Sequence, residues 1–177
     1  MHSQRILVVA VFCFLGFKSV FAQQLEKRKV LSQKVEVLLP SEFKQMDMNT
    51  ITLKYPNEGG RPNEVYTNSN SSVNLAFTHS AKKTTTSDIK KYTDEIVNVL
   101  KQRDVTVLDQ KQVKINGTDC FIIQFYSKAL NGTIYNKMFF TVLEGRLLIG
   151  SFNCTSLMES IWKSKGDEII ESIKLLK

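Results

Sequence analysis

Three turn dipeptides, Asn116-Gly117, Asn131-Gly132 and Glu144-Gly145, punctuate the last third of the chain, each set between runs of alternating apolar and polar residues. Asn-Gly is the strongest short hairpin signal because both central residues of a type I′ turn need positive φ, which Asn and Gly accept most readily. Alternation with period two puts every second side chain on one face of a strand. Together these features predict a three-hairpin meander. Two-residue turns place Phe121 opposite Val142, Ile123 opposite Phe140 and Phe125 opposite Met138. The next turn sets Val142 against Leu147 and Phe140 against Ile149. The resulting apolar face needs a cover, and an amphipathic helix is the economical one.

Two segments supply that cover. After Thr86 or Ser87 as cap and Asp88 in the first turn, Ile89, Tyr92, Ile96, Val99 and Leu100 share one helical face to about Arg103. A second helix is expected from Ser156, where Ser156 and Glu159 have capping-box spacing, with Met158, Ile161, Trp162, Ile169 and Ile173 facing inward and Gly166 as a kink. Upstream, Val35 to Pro40 reads as a strand, Ser41 to Met48 as a helical turn, and Ile51 to Tyr55 as a strand stopped by Pro56. Asn57 to Asn63 gathers turn formers into a loop. Glu64 to Asn68 and Ser72 to His79 then pair across Ser69-Asn70-Ser71, with Val65 opposite Phe77 and Thr67 opposite Leu75. The expected fold class is α+β: an antiparallel sheet with a C-terminal three-strand meander, covered by helices in an α/β/α sandwich. It occupies one domain, residues 35–177, after a polar leader over 23–34 that is frayed or weakly helical.

Residues 1–22 read as a secretory signal peptide. Arg5 gives the positive start, Ile6 to Phe17 is an apolar run shorter than the roughly 20 residues a membrane span needs, and Val20-Phe21-Ala22 forms a small-residue cleavage site. Processing between Ala22 and Gln23 predicts an exported protein, periplasmic or secreted, with no transmembrane segment in the mature form. Arg5 and Lys18 leave with the segment, so the formal net charge of +7 falls by two. The remaining charges alternate in sign, a pattern that excludes a nucleic-acid partner and favours anionic surfaces only mildly.

Cys13 is also removed, leaving Cys120 and Cys154. The meander register sets these two far apart along their strands, beyond the roughly 7 Å between Cα atoms that a disulfide tolerates, so they are expected to be free. His79 is the one histidine left after processing, and neither it nor the cysteines has metal-ligand spacing or a framed nucleophile. No enzyme activity, metal or cofactor is expected. The one candidate site is an anion- or partner-binding loop, Gly59-Gly60-Arg61, with Lys82 and Lys83 leaving from the same end of the neighbouring hairpin. Arg offers a planar fork to a carboxylate or phosphate, lysines add point charges, and the glycines let backbone N–H groups approach an anion. Four Asn-x-Ser/Thr triplets begin at Asn70, Asn116, Asn131 and Asn153; two of them coincide with the hairpin turns.

An extended Leu-Pro entry, paired early strands, a helix with Ile89-x-x-Tyr92, a long meander and a closing helix carrying Trp162 and Ile169 to Lys174 together resemble the PsbP-like superfamily. That group includes the extrinsic photosystem II protein, the Mog-type Ran-binding transport factor and many bacterial exported proteins of unassigned role. The resemblance spans Val35 to Lys174 and implies an antiparallel sheet between helices and a non-enzymatic, partner-binding tendency; it transfers no binding residue. The expected function is a non-catalytic exported binding or accessory protein of the cell envelope, whose partner is an envelope protein or an anionic surface. The alternative is a small-molecule carrier with a cavity above about 300 Å³ between sheet and helix. A third class is an enzyme using Cys120 or His79 in an unfamiliar setting.

Overall fold

The computed structural model describes residues 24–103, 105–129 and 132–176. The expected signal peptide, its cleavage point and Asn131 lie outside them. Among the described residues ten strands and three α-helices follow in order: β1 Leu25–Val30, β2 Val35–Pro40, β3 Lys44–Gln45, α1 Met48–Lys54, β4 Glu64–Thr67, β5 Val73–Lys83, α2 Thr86–Lys101, β6 Val105–Ile115, β7 Thr118–Ala129, β8 Gly132–Leu143, β9 Arg146–Thr155, α3 Glu159–Ser172 and β10 Lys174–Leu175. A seven-stranded antiparallel sheet has the order β3-β4-β5-β9-β8-β7-β6, and β1-β2-β10 form a second, small sheet. Helices α1 and α2 cover one face of the large sheet. Helix α3 and the small sheet cover the other. The α+β sandwich expected from the sequence is therefore present, with a small sheet as an additional part of one outer layer.

The meander forms as sequential neighbours β6-β7-β8-β9. Asn116 and Gly117, and likewise Glu144 and Gly145, take positive φ as their turns require. Strands β8 and β9 pair as predicted, Val142 with Leu147 and Phe140 with Ile149. Strands β7 and β8 are shifted by two residues from expectation: Phe121 faces Phe140, Ile123 faces Met138, and the ladder ends with Ala129 opposite Gly132. The positions between the paired ends are thus 130 and 131 rather than 131 and 132. A two-residue shift leaves every side chain on its original face, so alternation alone cannot distinguish the registers. The predicted face of Phe121, Ile123, Phe125, Met138, Phe140 and Val142 does pack beneath α2.

The β4–β5 hairpin is shifted by one: Val65 pairs with Ala76 and Thr67 with Asn74. A single shift normally turns an apolar side to water, but here both sides are covered. Val65 and Ala76 pack beneath α1, while Tyr66, Leu75 and Phe77 join the opposite core. The Asn68 side chain fixes the longer turn by accepting from the backbone N–H groups of Ser72 (3.0 Å) and Val73 (3.2 Å).

Two upstream expectations are corrected. Ile51 to Tyr55 is not a strand, nor Ser41 to Met48 a helical turn; β3 and α1 occupy this region. Asp47 caps α1 by accepting from the Thr50 N–H and hydroxyl at 3.0 and 2.7 Å. The apparent alternation was misleading because Leu53 is 83% exposed, whereas Ile51 and Tyr55, four apart, meet the same apolar patch. The leader is not frayed: β1 pairs along its length with β2, from Leu25 opposite Pro40 to Val30 opposite Val35. Arg28 secures it by donating to the carbonyls of Phe43 (2.6 Å), Ser41 (2.8 Å) and Pro40 (3.3 Å).

The helices differ in detail from their predicted stripes. Thr85, not Thr86 or Ser87, caps α2, its N–H donating to Asp88 at 2.9 Å. Val99 and Ile161 are outward at 47% and 56% exposure, their expected inward places taken by Val97 and Ile170. Gly166 is a contact point rather than a kink: a Cβ there would lie 2.4 Å from the Phe152 ring. Cys120 and Cys154 are free and buried in the α3-side core, Cys120 level with Val113 and Cys154 level with Val73 and Tyr135.

Candidate binding surfaces

Asn63 holds the 57–63 loop against the end of β5, its N–H donating to Phe77 O (2.7 Å) and its side chain accepting from His79 N–H (2.7 Å). Within that loop Gly59 and Gly60 form a single 3₁₀ turn. Arg61 bends back onto its own segment, donating to the carbonyls of Tyr55 (3.0 Å) and Pro56 (3.3 Å). Lys82 turns instead to α2, its ammonium 4.3 Å from the Tyr92 ring centre. Lys82 and Lys83 share a cleft of about 180 Å³ with Asp88, Lys91, Tyr92 and Glu95. Gly59, Gly60 and Arg61 are not among its lining residues, so the five predicted residues divide into a loop group and a cleft group.

Apart from a polar opening of about 640 Å³ along α3, lined by Ser156, Glu159, Ser160 and Lys163, three further openings meet at Asn116, where the layers join. Its side chain donates to the carbonyls of Glu171 (3.1 Å) and Ile173 (2.9 Å), tying the first meander turn to the end of α3 and satisfying carbonyls that a helix terminus leaves unpaired. Three clefts share this residue. One of about 290 Å³ runs past Lys27, Leu38 and Ser172; one of about 270 Å³ lies between β6, β7 and α3, with Val113, Ile122 and Ile170 as its apolar floor. The third, about 630 Å³, opens between the two neighbouring turns and β10, against Val142, Leu143 and Leu175. Their lysines are largely neutralised: Lys27 pairs with Glu36 (3.8 Å), Lys111 with Asp109 (3.2 Å), Lys114 with Asp119 (2.8 Å) and Lys137 with Asp167 (2.5 Å). The groove is therefore mixed in charge, with apolar floors.

Under the outer edge of α3 a polar network clips helix to sheet. The Tyr126 hydroxyl donates to Glu159 at 2.5 Å, and Lys163 donates to the same oxygen at 2.9 Å while lying 4.9 Å from the Tyr135 ring centre. Tyr135 donates to Gln124 at 2.8 Å. The Tyr126 hydrogen bond, then Lys163, holds the Glu159 carboxyl below the usual range, and burial pushes the Tyr135 hydroxyl up. These groups are spent on one another, which fits a structural clip better than proton transfer. Sequence reasoning missed them, since Lys137 looks like an ordinary surface charge and Glu159 like a helix cap until the sheet register brings Lys137 against Asp167 and Tyr126 against Glu159.

The groups considered for chemistry stand apart. His79 lies opposite Leu148 on β9, with Nε2 3.0 Å from Leu143 O, whereas Cys120 lies opposite Val113 on β6. Burial raises the Cys120 thiol and pushes Cys154 up to about 11. Among the described residues, no three His, Cys, Asp or Glu side chains are grouped to hold a metal ion. Nor is any helix long and apolar enough to cross a membrane.

No family model matches the chain, and no curated protein matches it by sequence. Its shape has several solved counterparts. Cyanobacterial PsbP from Synechocystis is 16% identical with a TM-score of 0.59, the match covering 89% of this chain and 96% of that one. A protein of unknown function from Pseudomonas aeruginosa is 8% identical with a TM-score of 0.51, covering 86% and 98%. LpqN of Mycobacterium tuberculosis, involved in cell envelope biogenesis, is 8% identical with a TM-score of 0.51, covering 87% and 91%. The fold is PsbP-like, as the order of elements implied. At these identities it is the fold that is shared.

Proposed function

We propose that this chain is a non-catalytic accessory protein of the cell envelope, exported through its N-terminal segment, that binds a protein partner in the groove around Asn116. The observation carrying this reading is where the open space lies. Both faces of the large sheet are packed against helices, and the concave surface with apolar floors sits outside, at the junction of the layers. The cleft between sheet and α3 is small, about 270 Å³, and the wider space of the groove, about 630 Å³, opens outward between two turns and β10, a shape that favours a partner's protruding segment over an enclosed ligand. The envelope role of LpqN, a protein of like fold, is consistent with this assignment.

The groove can be tested by placing a photo-crosslinking residue at Thr118 or Lys174, and at Lys90 on α2 as control, in cells that export the protein. The expected result is one discrete adduct from both groove positions and none from Lys90. Equal labelling from all three, or none from the groove, overturns the assignment. The Lys82–Lys83 cleft and, separately, the Gly59-Gly60-Arg61 loop are proposed as subsidiary contacts for anionic envelope material. Replacing Arg61, Lys82 and Lys83 together by Ser should weaken that binding more at low than at moderate salt, and unchanged binding in the folded variant removes the contact.

A further inference from the structure

The two edges of the seven-stranded sheet are unequal. β3 closes one with two residues, whereas β6 offers eleven at the other, and among the described residues no strand lies along its outer side. Native edges are kept from pairing by shortness, proline, a bulge or charge. β6 has no proline. Its bulge lies at Leu108, between the Val107–Phe125 and Asp109–Gln124 pairs, so residues 109–115 run in unbroken register against β7. The charges on this stretch are Asp109, Lys111 and Lys114.

Which backbone groups of β6 are free follows from its turn. Asn116 and Gly117 form a two-residue hairpin loop, so Ile115 and Thr118 on either side exchange N–H···O bonds. Every second residue back from Ile115 then bonds to β7, and the N–H and C=O groups of Gln110, Gln112 and Lys114 point away from the sheet. The Gln110 side chain donates to Asp94 on α2 (2.8 Å). Asp109 and Lys111 stand on the opposite face, level with Gln124 and Ile122, their charged groups 3.2 Å apart and their side chains 41% and 51% exposed.

We infer that β6 docks a second copy of this chain, strand to strand and antiparallel, about a two-fold axis at Gln110. A two-fold seam that matches the faces of both strands sets one residue opposite itself. Centres at Asp109, Lys111 or Lys114 bring like charges together, and centres at Gln112 or Val113 set Lys111 opposite Val113 or Ile115. The centre at Gln110 sets Asp109 opposite Lys111 of the copy and Lys111 opposite its Asp109, four alternating charges on one face of the seam. There the outward N–H and C=O of Gln110 exchange bonds with their counterparts, and Leu108, 44% exposed at the bulge, comes level with Gln112 of the copy. Against an unrelated strand Lys111 is the usual guard of an edge; a strand of the same sequence brings the matching charge. The helices leave room. α2 packs on Phe121 and Phe125 of β7 and Phe140 of β8, so its copy lies about three strand spacings away, roughly 14 Å against the 8–10 Å of packed helices.

The test is sedimentation equilibrium of the full mature chain at low salt from micromolar to millimolar concentration, which reads self-association with no other partner and is therefore independent of the groove around Asn116. A reversible monomer–dimer equilibrium is expected, weakening as salt is raised. Asp109→Lys and Lys111→Asp should each lower the association constant about tenfold or more, and an equimolar mixture of the two should recover it, because one variant then sets two cations against two anions of the other. Mixing cannot repair the contact within a single chain, so recovery reports the seam itself. Gln110→Cys should oxidise to a covalent dimer, its Cα atoms about 5.5 Å apart across the axis, whereas Gln112→Cys, about 14 Å from its counterpart, should not. The inference is overturned if the chain stays monomeric at millimolar concentration, if the single variants associate as the unaltered chain does, if mixing recovers nothing, or if Gln112→Cys crosslinks as readily as Gln110→Cys.

Discussion

The two faces of the seven-stranded sheet are sealed to different degrees. Toward α3 and the small sheet, Trp162, Tyr135, Phe43, Phe77, Phe139 and Phe152 are buried to within 2% of completely, and Phe43 stacks against Trp162 at 5.3 Å. Two glycines let rings approach where a side chain would intrude, Gly150 against Phe139 and Gly166 against Phe152. Toward α2 the buried set is shorter: Ile89 and Val97 meet Phe121, Ile123, Phe125 and Phe140, while Tyr92, Ile96, Leu100 and Met138 are only partly covered. The α3 face carries the larger share of the dry core, and the α2 face leaves part of the sheet open between helices.

The largest expected effect is on the α3 face. Trp162→Ala should cost about 3–5 kcal/mol in urea unfolding, as for deletion of a fully buried indole. Ile96→Ala, on the half-buried stripe of α2, should cost about 1 kcal/mol. Equal losses would break the contrast. Gly166→Ala comes next: despite the better helix propensity of Ala, the methyl group meets the Phe152 ring, and a net loss of about 1–3 kcal/mol is expected. A neutral or stabilising result would mean that this contact is loose. Asn116→Gly should keep the turn, since Gly also accepts positive φ, but lose two hydrogen bonds to the end of α3, costing about 1 kcal/mol. Hydrogen exchange at β10 would report the loosening.

The smallest effect is with pH. Burial raises Cys154 to about 11 from its ordinary 9.0 and also raises Tyr135 and Tyr66 above their ordinary 10.0. Groups raised in the folded state contribute stability that is fully present below their unfolded values and is lost as pH climbs through the folded ones. Stability should therefore be flat up to about pH 8 and decline from about pH 9 upward, less steeply in Cys154→Ala. Both thiols should resist a thiol reagent in the native state and react fully on unfolding. Native reactivity of Cys154 would show that the α3-side core is not sealed.

The same contrast explains what could be read in advance. The meander was legible because its turn residues and alternation are independent signals that agree, and the face they defined is the one α2 covers. The β7–β8 shift escaped because a displacement of two residues conserves that face. The N-terminal third was misread where a local signal competed with tertiary packing: Ile51 and Tyr55 are spaced for either strand or helix, and the Asp47 cap decided between them. β1 was illegible because its order depends on Arg28 reaching carbonyls on a distant segment. Arg61 precedes β4 and Lys82–Lys83 end β5, yet where the Arg61 and Lys82 side chains point is set by Tyr55, Pro56 and Tyr92, which no sequence spacing links. Asn116 was seen as a turn residue, and its second role at the end of α3 needed the layers to be assembled first.

Native-state hydrogen exchange across both helices tests the contrast most directly. The amides of α3 and of the central strands β8 and β9 should exchange only through global unfolding, with opening free energies equal to the stability measured by denaturant, while those of α2 should open below that limit in a cooperative unit of their own. Identical opening free energies for α2 and α3, or a lower value for α3, would contradict the division of one sheet into a sealing face and an open one.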